Sequence, residues 1–109
     1  MQVAPAELEA HILTHPAVSD CVVIGVPDSR AGEVPKAFCV RAPGSIEESD
    51  TIVKRQIKQH VEKGKSKHKW LDGGVEFIDA VPKSPSGKIL RRLMRDRERE
   101  RLRKEGAKL

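Results

Sequence analysis

Aromatic side chains are nearly missing: Phe38, Phe77 and Trp70 stand alone, and there is no tyrosine. Proteins that hold single-stranded nucleic acid stack bases on several exposed rings, so that mode is disfavoured. Cysteine is equally sparse. Cys21 and Cys39 both lie in apolar runs, which reads as buried thiols of a reducing compartment rather than a disulfide framework. No apolar run approaches the ~20 residues that span a bilayer, and no signal-peptide pattern opens the chain. What is left is 109 residues, enough for one domain with one modest core. A chain that short cannot easily also build a deep pocket for a nucleotide and a second substrate.

Charge is plentiful but uneven. Charged residues make up 34% of the chain, above the usual quarter. From Lys83 onward eleven Lys or Arg face four Asp or Glu, a balance of +7. Met1 to Pro82 carries ten against twelve, a balance of −2, and the sum is the net +5. The globular part is therefore near neutral and the C-terminal end is basic. Arg91 to Lys104 could bind an acidic partner. Against nucleic acid stand the missing aromatics and the interrupting Asp96, Glu98, Glu100 and Glu105. The expected partners thus exclude nucleic acid, and no membrane span is expected.

Periodicity supplies the elements. Pro5 to His15 predicts a helix, with Leu8, Ile12 and Leu13 as its apolar face and Pro16 as its stop. The β-branched run Cys21 to Val26 predicts a strand buried on both faces. Asp28 to Pro35 reads as a loop and Ala37 to Arg41 as a second strand. Ser49 to Lys63 predicts a helix through Val53, Ile57 and Val61, and Val75 to Ile78 a third strand after Gly73-Gly74. Gly64 to Lys69 is polar and basic, an exposed loop. Pro82 to Gly87 is a stiff loop, and a last helix is expected from Gly87 with Ser86 as N-cap. Its apolar residues end at Met94. Beyond, the turns are almost wholly charged and are expected to stay solvated or frayed, with a Glu100–Lys104 pair. The order gives an α+β fold: a small three-stranded sheet flanked by helices, with a charged helical tail.

Ser86-Gly87-Lys88 is the segment with most chemistry. It is not a phosphate-binding P-loop, because Pro82 and Ile89 occupy the places of that motif's first glycine and its Ser or Thr. It is a lysine on a stiff loop before a helix, a setting that favours an anion. His11 and His15 share the i,i+4 spacing of a metal pair, but no carboxylate or cysteine completes a set, so no metal is expected. Glu33 and Lys36 are assigned no chemistry.

Four segments occur together and in order: QVAPAELE at 2–9, HPAVSDCVVIGVPD at 15–28, GEVPKAFCV at 32–40 and GGVEFIDAVPKSPSGKILRR at 73–92. This series resembles the C-terminal domain of adenylate-forming enzymes: acyl-CoA synthetases, 4-coumarate–CoA ligases and luciferases. The resemblance covers nearly all of residues 2–92. It implies that an acid attacks the α-phosphate of ATP and that coenzyme A then displaces AMP. It implies Lys88 as the lysine that reaches the large domain's active site, supported by Pro85, Ser86 and Gly87, and Gln2 as a second residue near the adenylate. Lys63, Lys65, Lys67 and Lys69 are a candidate patch for coenzyme A phosphates, where the family often has Pro-Tyr-Lys in place of Lys67-His68-Lys69.

The resemblance also implies two parts: residues 1–94 as the small, mobile C-terminal domain, and residues 95–109 as a charged helical tail. The large domain and the hinge would precede QVAP. ATP with magnesium, the acyl-adenylate and coenzyme A would thus be met only in the full enzyme. This chain alone is expected to bind no cofactor and to be inactive. A stand-alone regulatory module that docks on a separate large domain is the alternative. Ala107-Lys108-Leu109 resembles the small-basic-leucine peroxisomal signal, which implies the peroxisomal import receptor as a partner and the peroxisome, otherwise the cytoplasm, as location.

Overall fold

The computed structural model describes residues 4–44 and 47–107, so Gln2, Lys108 and Leu109 lie outside the described residues. Helix α1 (Pro5–Ile12) starts on a proline, whose missing N–H costs nothing in a first turn. Strands β1 (Val18–Asp28) and β2 (Gly32–Arg41) follow, then α2 (Asp50–Gly64), β3 (Val75–Phe77) and α3 (Arg91–Ala107). The Ser49 hydroxyl accepts the Ile52 N–H and caps α2, a bond worth about 1 kcal/mol. Among the described residues these are three α-helices and one three-stranded mixed sheet, an α+β fold. None of these helices is long and apolar enough to cross a membrane.

The sheet runs β1-β2-β3, antiparallel then parallel. Both faces are covered. On one, Leu8 and Ile12 of α1 and Val53, Ile57 and Val61 of α2 pack on Cys21, Val23, Ala37, Cys39 and Val75. On the other, Val81 and Met94 pack on Val22, Ile24, Val26 and Phe38. This is why CVVIGV is continuously apolar: odd and even positions each meet a core. Burial pushes both thiols up to about 12, so they stay protonated core groups.

The loop expected at 28–35 is instead a hairpin. Pro27 and Pro35 suggested a break, yet both sit within strands. The even residues of β2 face β1, because Ala37 N–H donates to Gly74 O and Cys39 O accepts from Ile78 on the β3 side. Pro27 therefore turns its missing N–H to the open edge of β1. Pro35 turns its own towards the β3 side, before β3 begins. Neither removes a bond between β1 and β2. The turn itself is held by Asp28, whose Oδ2 accepts the N–H groups of Arg30 and Ala31 at 3.1 and 2.8 Å. Gly32 supplies the positive φ of +80° that ends it.

Two further expectations are corrected. Helix α3 begins at Arg91, not near Gly87, and Ser86 is not its N-cap. Of the charged turns after Met94, residues 95–97 and 99–106 are exposed as expected, but Glu98 packs. Glu98 is only 6% exposed, since it lies on the same face as Met94, one turn on. It meets Lys36 of β2 at 2.6 Å and Arg101 at 2.8 Å. Glu100 pairs with Arg103 rather than with Lys104.

Candidate functional site

The segment 82–90 is a tight hairpin in front of α3. Lys83 and Ile89 form a bridge, and Leu90 N–H donates to Pro82 O at 2.9 Å. Inside it, Ser84 N–H donates to Lys88 O at 2.8 Å and Gly87 N–H to Ser84 O at 2.9 Å. The Ser84 hydroxyl accepts the Lys88 N–H at 3.2 Å and contacts the Ser86 hydroxyl at 3.0 Å. Gly87 has φ +88°, a conformation that L side chains rarely adopt. This accounts for the late start of α3. Amides that a helix from Gly87 would have left free are used by the hairpin, so no helix terminus faces Lys88. The anion-favouring setting reduces to the ammonium itself. Lys88 is exposed, and among the described residues its ammonium has no hydrogen-bond or ion-pair partner.

The base of the hairpin is tied to β1 and α1. Lys83 Nζ meets Asp20 Oδ2 at 2.7 Å. Arg91 meets Glu9 Oε1, and the other oxygen of Glu9 accepts the Val23 N–H at 2.8 Å. Glu9 is 6% exposed. Beside the hairpin, Leu90 and Leu93 are exposed. They form a shallow apolar surface with Ile89, rimmed by Arg92 and Asp96.

The four-lysine patch is divided. Lys65 and Lys69 both pair with Glu7 of α1. Those two bonds, Lys69 first, hold the Glu7 carboxyl below its ordinary range. Lys63 and Lys67 remain exposed. The segment is not the open loop expected, since Lys67–Lys69 form one 3-10 turn and Trp70 donates its indole N–H to Lys65 O at 3.0 Å. His11 and His15 do not converge on a metal. His11 stacks on His60 of α2, with ring centres 4.5 Å apart, and His15 Nδ1 accepts the Ala17 N–H. Among the described residues no three His, Cys, Asp or Glu form a metal-binding group. Of the other candidates, Pro85 and Ser86 lie at the exposed tip beside Lys88, while Gln2 and the terminal Lys108-Leu109 fall outside the described residues.

Sequence reasoning missed Glu9, Asp20, Lys36 and Glu98. For Glu9 a signal existed: it stands one place beyond the apolar Leu8, where a solvent-facing acid would be out of phase with the buried stripe. Lys36 likewise sits between apolar residues in a strand.

With the geometry in place, the comparison with known proteins is specific. Residues 7–88 match the family model of the AMP-binding enzyme C-terminal domain. The chain belongs to this family. The acyl-CoA ligase lcsD of Purpureocillium lilacinum is 50% identical over 99 residues, covering 91% of this chain and 25% of the ligase. The 4-coumarate–CoA ligase 1 of Petroselinum crispum is 52% identical over 96 residues, covering 88% of this chain and 16% of the ligase. Among solved structures, the acyl-CoA synthetase of Brucella canis superposes with a TM-score of 0.83 at 37% identity, over 94% of this chain and 18% of that one. This C-terminal domain of the adenylate-forming acyl-CoA ligase family therefore spans a quarter or less of the relatives it matches.

Proposed function

We infer that this domain supplies the lysine of an acid–thiol ligase reaction to a large N-terminal domain, through Lys88. The observation that carries the reading is a lone ammonium on a hairpin whose backbone is already ordered, in a family that uses ATP. In the first step a carboxylate oxygen bonds to the α-phosphorus of ATP and the bond to pyrophosphate breaks. Two anions are forced together, and a placed ammonium offsets the charge that builds between them. Lysine suits this as a point charge on a flexible stem. In the second step the sulfur of coenzyme A attacks the acyl carbonyl and AMP leaves. The apolar surface around Leu90 and Leu93 supports docking on a partner domain, because it lies beside Lys88 and would otherwise stay in water. Magnesium would accompany ATP, and the contribution of this chain to the phosphates is Lys88. Gln2 is the second residue proposed near the adenylate. Lys63 and Lys67 are the cations proposed to face coenzyme A phosphates, since Lys65 and Lys69 already offset Glu7.

The purified chain, given ATP, magnesium, coenzyme A and a carboxylic acid, is expected to form no acyl-CoA. Joined to the large domain of a relative such as the Petroselinum crispum ligase, it is expected to restore both steps. In that joined protein, Lys63→Ala with Lys67→Ala raises only the coenzyme A requirement. Thioester formation by the isolated chain, or none by the joined protein, would overturn the reading.

Ala107-Lys108-Leu109 is proposed as a peroxisomal address. A fluorescent reporter ending in these residues is expected in peroxisomes, and a diffuse signal would refute it.

A further inference from the structure

Arg91 and Lys83 bracket the Lys88 hairpin, and each is held by a carboxylate from the opposite end of the chain. Glu9 lies 82 positions from Arg91 and Asp20 lies 63 from Lys83. The two anchors differ in kind. Lys83–Asp20 is partly exposed on both sides. Glu9 is buried and uses both oxygens, one on Arg91 and one on the Val23 N–H at the open edge of β1. The Arg91 Nε is buried with no hydrogen-bond partner among the described residues, so the bond from Nη2 to Glu9 is what holds that guanidinium in place.

We propose that Glu9 is a positioning residue for Lys88: it acts through Arg91 to fix the direction in which the hairpin projects from β1. The assignment rests on Lys88 being the functional lysine, but the geometry stands independently of it. A hairpin clamped at both ends presents its tip in one direction. Released at Arg91, it keeps the packing of Val81 and Ile89 on the sheet and the partly exposed Lys83–Asp20 pair, and such a pair fixes a direction poorly. A shift of about 1 Å at a reacting group can lower a rate about 100-fold.

Glu9→Gln tests this without removing volume. The amide oxygen still accepts from Val23, while the ion pair to Arg91 is lost. In the full chain, 15N relaxation is expected to show increased motion of the Ser84 to Leu90 amides, with the amides of α2 unchanged. Arg91→Met is expected to do the same, and the double variant to be no worse than either single one. In the protein joined to a relative's large domain, Glu9→Gln is expected to slow acyl-adenylate formation about 10- to 100-fold and to leave acyl transfer to coenzyme A, read as AMP release, unchanged. An unaltered hairpin in Glu9→Gln, additive effects in the double variant, or equal loss in both steps would each overturn the proposal. If Lys88→Ala is silent while Glu9→Gln still loosens the hairpin, the functional reading fails and the anchoring stands.

Discussion

Lys88→Ala, in this domain joined to a large domain, is expected to slow acyl-adenylate formation about 10²- to 10³-fold. That range is the usual cost of one placed donor facing developing charge, or about 3–4 kcal/mol of barrier. Attack of coenzyme A on a supplied acyl-adenylate should keep its rate, because the ammonium is needed where phosphate and carboxylate are forced together. The measurement is the rate of pyrophosphate release against the rate of AMP release from a preformed adenylate. Equal loss in both steps would sink the assignment. Stability should not move. Lys88 is exposed and its side chain contacts no described partner, and such surface substitutions stay within about 0.5 kcal/mol. A variant with wild-type melting and a large, one-step defect separates chemistry from folding. Gly87→Ala would not be so clean, because its φ of +88° strains any side chain placed there.

Glu98→Ala carries the largest expected effect on folding. Lys36 is 6% exposed, and in the variant it keeps the half-exposed Glu76 at 3.2 Å and the face of the Phe38 ring, 4.9 Å from its centre. Removing one partner of a buried pair leaves a charge out of water, which typically costs about 3–5 kcal/mol. Glu76 and the solvent around Arg101 soften this, and about 3 kcal/mol is expected. For a domain of this size that lowers Tm by roughly 12–20 °C. The double variant Lys36→Met with Glu98→Leu should recover most of the loss, since it removes both charges and keeps apolar volume. A single variant that melts with the wild type would show that the pair holds nothing.

Acid should act on the same group. Hydrogen bonds from Arg101, and then from Lys36, lower the Glu98 carboxyl from its ordinary 4.5 to about 2 against the opposing effect of burial. An acid held below its unfolded value stabilises fully above that value and loses the contribution as pH falls through the folded one. Wild-type stability from this group is therefore lost between about pH 4.5 and 2. Glu98→Ala should show a shallower decline over that window in urea titrations.

Much of the architecture is local. Val53, Ile57 and Val61 are spaced by four and lie on one face of α2, all fully buried. The run CVVIGV is apolar at odd and even positions because both faces of β1 are covered. Such patterns repeat with the period of the element, so a short window contains them. Prolines misled for the same reason. Pro27 and Pro35 signal a break when only neighbours in sequence are considered. Whether a missing N–H matters depends on which strand lies beside it, and here neither faces the partner in the hairpin.

The functional segment divides along the same line. The order of the four motifs, the stiffness of Pro82 to Gly87 and the identity of Lys88 stand in the one-dimensional text. Where Lys88 sits does not. Its hairpin exists because Ser84, Gly87, Lys88 and Leu90 direct their amides into the loop, which moves the start of α3 to Arg91. The hairpin is anchored by Glu9 and Asp20, the basic patch is halved by Glu7, and Glu98 of the charged tail is drawn in by Lys36. In each case a charge finds its partner tens of residues away. Apolar burial announces itself by period, since every turn or pleat repeats it. An ion pair needs only two residues and has no period, so only the folded chain decides which charges meet.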